Sequence, residues 1–300
     1  MKYALLVLAG AVLYGTTGTS QAFAPDGASS MSIGSARLAF GGLIMGTLGC
    51  ISWWRRRATL TQLSWREALA ITIGAGVVLI YQSTFFAATR VNGVMVGTVI
   101  ALGSSPVFTG LIEWVVLKTR PSLRWMLATV LAVVGVAALS WSTGSRVQVD
   151  PWGVILALIS GACYATLAVA TKWLLNRGWR STDVAMAVMG VGSLPAFLIL
   201  SMSDSSWLAT PRGIAVTSWM AIATLCIAYM LTVAGMRGMT AASTTTVGLA
   251  EPATATLLGV VVLSEPLTLT RVLGLAAIIG GVVVLGLTKA SSTTQVPQDS

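Results

Sequence analysis

Charged residues in this chain come in short clusters, separated by apolar stretches of roughly twenty residues. Each stretch is long enough to cross a ~30 Å hydrocarbon core as a helix. Only 9% of the 300 residues are charged, whereas a soluble domain carries about a quarter. Lipid cannot hydrogen-bond an exposed backbone, so helices or a closed barrel are the available spanning structures. A barrel needs ~10-residue segments of alternating polarity, and runs such as 127–139 do not alternate. The chain therefore reads as an all-α polytopic membrane protein.

Breaks at charged and turn-forming residues predict ten spans, near 3–23, 32–53, 67–89, 93–117, 123–141, 152–174, 182–202, 214–236, 241–263 and 270–288. With the N-terminus in the cytoplasm, thirteen of eighteen Lys and Arg fall at cytoplasmic ends. The other five, Arg37, Arg90, Arg146, Arg212 and Arg271, are scattered singly at the opposite ends. Such a bias in short loops sets orientation, and an even number of spans returns the C-terminus to the cytoplasm. The net charge of +9 thus expresses topology, and no nucleic-acid partner is expected. A rival reading takes Met1-Lys2, the apolar stretch and Ala22-Phe23-Ala24 as a cleavable signal, which would leave nine spans.

There is no histidine, which excludes His metal sites and His proton relays. Cys50, Cys163 and Cys226 lie far apart within or beside spans and read as small apolar residues. No Walker motif, nucleophile elbow or Cys/His cluster appears, so neither a cofactor nor an intramembrane enzyme is expected. The polar stretch 291–300 reads as a disordered tail.

The second half of the chain resembles the first. Pro106 and Pro252 are 146 positions apart, and at that offset five of twelve positions from Pro106 to Leu117 match. Tyr14 pairs with Tyr164, Tyr81 with Tyr229, Arg90 with Arg237 and Pro121 with Pro266 at nearby offsets, in the same order along the chain. The repeats are placed at 1–143 and 151–290, joined by a 144–150 linker. Each holds five spans, and an odd number inverts the second copy relative to the first. Inverted repeats are characteristic of alternating-access transporters, with substrate bound near the midplane between them.

Several short motifs carry a family resemblance: Tyr14-Gly15 in the first span, Arg37 opening the second, and Glu251-Pro252 … Ser264-Glu265-Pro266-Leu267-Thr268 before a Gly-rich last helix. Together they resemble the ten-helix EamA branch of the drug/metabolite transporter superfamily, the group containing amino-acid exporters of the YddG kind. The resemblance covers residues 1–290 and implies efflux or exchange of small metabolites without a nucleotide motor. One departure stands out: the first copy reads Lys118-Thr119-Arg120-Pro121 where a Glu-Arg pair is expected.

Ionisable groups at membrane depth are functional candidates by default. Glu113 shares a helix face with Thr109 and Ser105. It reads either as a coupling or cation-binding carboxylate in a cavity, or as a helix-end acid paired with Lys118 or Arg120. Glu251 precedes Pro252, which removes a backbone hydrogen bond and frees a carbonyl one turn earlier. It reads as a substrate-facing or coupling acid beside a hinge, or as a pin bonded to the Ser243–Thr246 run. Pro106 is the expected matching hinge, with Ser105 in place of the acid. Tyr14, Gln21, Tyr81, Gln82, Ser105, Tyr164 and Tyr229 complete the expected substrate-binding set, whereas Trp53, Trp54, Trp65, Trp152, Trp173, Trp207 and Trp219 read as interfacial anchors.

The expected function is transport of small metabolites, foremost amino acids with apolar side chains, out of a bacterial cytoplasm through the inner membrane. Export of lipophilic cations is the alternative, since aromatic walls and one carboxylate suit them too; a channel or scaffold is the remote one. Expected partners are a small-molecule substrate and the lipid bilayer, with the protein a monomer or homodimer.

Overall fold

A computed structural model describes residues 1–55, 63–140, 149–264 and 266–286. All ten expected spans are helical: α1 (Lys2–Ala22), α2 (Ser30–Arg55), α3 (Trp65–Gly93), α4 (Val96–Leu117), α5 (Leu123–Ser140), α6 (Pro151–Asn176), α7 (Ser181–Ser201), α8 (Pro211–Met236), α9 (Ala241–Val262) and α10 (Leu269–Gly286). Among the described residues nine are long and apolar enough to cross a membrane, and α10 is apolar up to Gly286, the last described residue. No strand occurs among the described residues. Most of the 144–150 linker, Arg56, Arg57, Arg146, Glu265, Lys289 and the 291–300 tail lie outside them.

Polar residues at the helix starts define several boundaries. Ser64 forms a capping box with Glu67 at the start of α3. The Asp150 carboxylate accepts from the Trp152 N–H ahead of α6, and the Thr210 hydroxyl from the Gly213 N–H ahead of α8. Both caps are followed by proline at the first helical position, whose missing N–H costs nothing there. Between α3 and α4 the chain turns at Gly93, with φ 79° and ψ 156°, a conformation only glycine adopts cheaply.

Packing follows the repeat. Helix α1 lies against α8 and α9 as α6 lies against α3 and α4, while α2 crosses α7 and α5 crosses α10. Exchanging the two halves turns this set of contacts into itself, as two inverted five-helix repeats require. At the α2–α7 crossing a Cβ on Gly190 would sit 2.7 Å from the Gly46 Cα, so any larger residue would force the helices apart. The small residues of α10 also serve packing within the protomer: a Cβ on Gly274 would lie 2.7 Å from the Gly135 carbonyl oxygen of α5.

The main core sits between α2, α3, α6, α7 and α8, around Leu38, Met45, Leu174, Val184, Val188 and Met220. Trp207 departs from expectation. It is buried, its Nε1–H donates to Ser32 Oγ at 2.8 Å, and Ser32 in turn donates to the Asp204 carbonyl at 2.9 Å. It therefore plugs the α7–α8 connection onto α2, and is no interfacial anchor. Trp54, Trp65 and Trp152 do remain exposed near helix ends.

Candidate functional site

The helices enclose a cavity of about 100 Å3 whose wall includes Tyr14, Tyr81, Gln82, Tyr164, Tyr229 and Glu251. A single water needs roughly 10–15 Å3 of such space, so the cavity admits a small solute. The four tyrosines are the two pairs matched by the sequence repeat, Tyr14 with Tyr164 and Tyr81 with Tyr229. They come from α1 and α6 and from α3 and α8, so the symmetry relating the halves passes through this space. Tyr81 and Tyr164 lie with ring centroids 5.7 Å apart. Tyr229 shares a 3.0 Å hydrogen bond with Thr171, another wall residue.

Helix approach sets the position of Tyr14. A Cβ on the neighbouring Gly15 would stand 2.8 Å from the Glu251 carbonyl oxygen. Only glycine lets α1 press on α9 at that level, and the preceding ring is thereby carried to the cavity beside Glu251.

The charged groups break the symmetry. Glu251 projects from α9, where the matched residue of the first half is Ser105. Among the described residues no donor bonds to the Glu251 carboxylate, and the neighbouring hydroxyls bond elsewhere: Thr244 donates to the Thr240 carbonyl and Thr245 and Thr246 to that of Ala242, while Ser243 Oγ accepts from Thr240 Oγ1. Arg37 also lines the cavity. Its Nη2 donates to the Thr224 carbonyl at 2.9 Å and its Cζ stands 5.6 Å from the Tyr14 ring centroid. Expected as a charge at a helix end, Arg37 instead lies about 10 Å along α2 from Ser30, at 1.5 Å per residue. That depth was the available signal, together with its place in the family-like SIGSARLAF segment.

Three expected site residues fall outside the cavity wall. Gln21 lies at the end of α1 beyond it. Ser105 is buried, and its hydroxyl donates to the Leu102 carbonyl at 2.9 Å. Leu102 is the carbonyl that Pro106 leaves without its helical donor, so Ser105 repairs the ladder. Glu113 is 2% exposed, and its two oxygens accept from the Ala241 and Ala242 N–H groups at 2.8 Å each. It caps α9 from across the repeat boundary. Its partners are these two backbone donors, and neither Lys118 nor Arg120 bonds to it.

The two prolines also differ. Helix α4 runs unbroken through Pro106, because the Ser105 hydroxyl replaces the missing donor. Helix α9 is interrupted at Leu249, between segments Ala241–Gly248 and Ala250–Val262, just where Pro252 withdraws a donor from Gly248. With Cys50, Cys163 and Cys226 replaced, a cysteine at the cavity residue Thr244 should report this difference through a membrane-impermeant thiol reagent. Pro252→Ala is expected to change its labelling rate severalfold and Pro106→Ala to leave it unchanged. Equal responses would show that the break in α9 does not bend there.

A family model described as the EamA-like transporter family matches residues 1–141 and again residues 151–287. The chain belongs to this family. It is a multi-pass membrane transporter of small molecules. The chain is 37% identical over 283 residues, 94% of this chain and 93% of the relative, to the uncharacterized transporter YwfM of Bacillus subtilis. An uncharacterized transporter of Archaeoglobus fulgidus is 26% identical over 172 residues, covering 57% of this chain and 59% of that protein. A solved crystal structure superposes with a TM-score of 0.78 at 17% identity, covering 95% of this chain and 96% of that chain. At that identity it shows the fold alone. In this EamA-like transporter the paired tyrosines, Gln82, Glu251 and Arg37 surround one central space.

Proposed function

We propose that the protein exports small amphiphilic metabolites, foremost amino acids with apolar side chains, by alternating access, in the manner of the YddG-like exporters. It does so in a bacterial inner membrane with both termini cytoplasmic, the two inverted halves rocking about the central cavity. The observation that carries this reading is the cavity wall itself. Aromatic faces accept an apolar side chain, the Glu251 carboxylate has no donor among the described residues and suits an ammonium group, and Gln82 and the tyrosine hydroxyls add orienting polar contacts. Glu251 and Pro252 adjoin the break in α9, so ligand binding at the acid is poised to act on the bend.

Export of lipophilic cations is the second reading, favoured by the same aromatic wall and single carboxylate. Counterflow in proteoliposomes separates the two. Vesicles preloaded with unlabelled phenylalanine or leucine should accumulate the labelled amino acid above its equilibrium level. Accumulation of labelled tetraphenylphosphonium without amino-acid counterflow would replace the first reading by the second.

A further inference from the structure

We infer that Arg37 is the specificity-determining residue of the cavity and that it selects substrates carrying a carboxylate, so that the preferred substrate is a zwitterion bridging Arg37 and Glu251. The inference rests on the amino-acid reading above and adds the group that distinguishes an amino acid from an amine.

Two features of the guanidinium point to a ligand. Its Nε is buried and has no hydrogen-bond partner. An orphaned donor on a charged group inside a protein is costly, and here it sits on a wall residue of the cavity. The rest of the group is held in place, with Nη2 fixed on the Thr224 carbonyl and the guanidinium close to the Tyr14 ring. Thr224 lies in a π-helical turn of α8, Ile222–Ile227. Wider turns of this kind shift the backbone hydrogen-bond register and recur at functional sites. The distortion of α8 thus presents a carbonyl that orients Arg37. An oriented guanidinium offers a planar pair of N–H groups matched to the two oxygens of a carboxylate.

Glu251 supplies the other half. Arg37 and Glu251 line the same cavity, yet the two make no direct hydrogen bond or ion pair among the described residues. Both charges face one cavity without meeting. An amine alone would satisfy Glu251 and set its positive charge against Arg37; a carboxylic acid alone would do the reverse. A zwitterion satisfies both and leaves no net charge to bury when the site closes. Neither charge is repeated in the other half, whereas the tyrosines are, so the substrate is held in one orientation.

The competing account is a structural one, in which Arg37 only ties α2 to α8 through Thr224. Counterflow of labelled phenylalanine in proteoliposomes decides between them, with phenethylamine and 3-phenylpropanoate as competitors. For the wild-type protein both competitors should be weaker than unlabelled phenylalanine by roughly 10- to 100-fold, as loss of one charged hydrogen-bonding group implies. Arg37→Gln should erase the preference for phenylalanine over phenethylamine, and Arg37→Lys should restore it in part. Phenethylamine competing as well as phenylalanine in the wild type would overturn the inference while leaving amino-acid transport intact, and that comparison requires no variant to fold. An unchanged competitor ratio in a well-folded Arg37→Gln protein would also overturn it. Absence of phenylalanine and leucine counterflow in the wild type would instead bring down the underlying reading as well.

Discussion

Glu251→Gln is expected to lower amino-acid counterflow by about two orders of magnitude while the protein inserts and purifies normally. The carboxylate has no protein donor to lose among the described residues, so the near-isosteric amide disturbs little of the fold. Arg37 loses a neighbouring countercharge, but the two make no direct pair, and the cavity offers space for water. What disappears is the acceptor for a substrate ammonium, and a charged hydrogen bond of that kind is worth ~1.5–3 kcal/mol, or about 10- to 150-fold in binding. The measurements are initial counterflow rate and the thermal unfolding midpoint in detergent. A variant that cannot be expressed in a stable form would identify Glu251 as a pin for the α9 break. Wild-type exchange would remove it from the site altogether.

The parts of this molecule that were legible in the sequence are those the bilayer itself imposes. A hydrocarbon core of fixed thickness dictates the length of each apolar run, and all ten runs became helices near their expected bounds. The tyrosines were legible for a different reason. Duplication leaves matched landmarks, and a pair such as Tyr81 and Tyr229 facing the axis between the halves meets at one place. Tyr14-Gly15 could be seen but not explained until the Gly15 approach to the Glu251 backbone was known.

What stayed hidden depends on contacts between distant residues. The spacing of Ser105, Thr109 and Glu113 correctly put them on one helix face, but periodicity cannot say what that face meets, and it meets the start of α9. The prolines looked equivalent because sequence shows the lost donor and not its replacement. Ser105 supplies that replacement for Pro106, and at Pro252 the preceding residue is an acid that cannot donate when ionised. Arg37 was misplaced because a lone basic residue several positions into a span looks like those that mark membrane surfaces. Its depth along α2 follows from residue count, but the distorted turn of α8 that holds it through the Thr224 carbonyl is a tertiary fact.

Glu113 should give the opposite pattern to Glu251: a loss of stability with substrate preference retained. The first N–H groups of any helix lack intrahelical acceptors, and in α9 the Ala241 and Ala242 donors are both taken by this one carboxylate. A negative charge at that end is also favoured by the helix dipole. Interhelical hydrogen bonds in membrane proteins contribute only ~0.6 kcal/mol on average. Here the comparison is different, because Glu113→Ala would orphan two donors at a buried site, at ~1–3 kcal/mol each. The expected destabilisation is therefore about 2–6 kcal/mol, and orphaned donors outweigh the average bond. Glu113→Gln keeps one acceptor but turns an N–H2 group toward the second donor, so its midpoint should fall between those of the wild type and the alanine variant. In protein that survives purification, the ratio of phenylalanine to phenethylamine competition should match the wild type, since Glu113 does not reach the cavity wall. A Glu113→Ala protein with the wild-type unfolding midpoint and no exchange would return this residue to the transport mechanism as a coupling group.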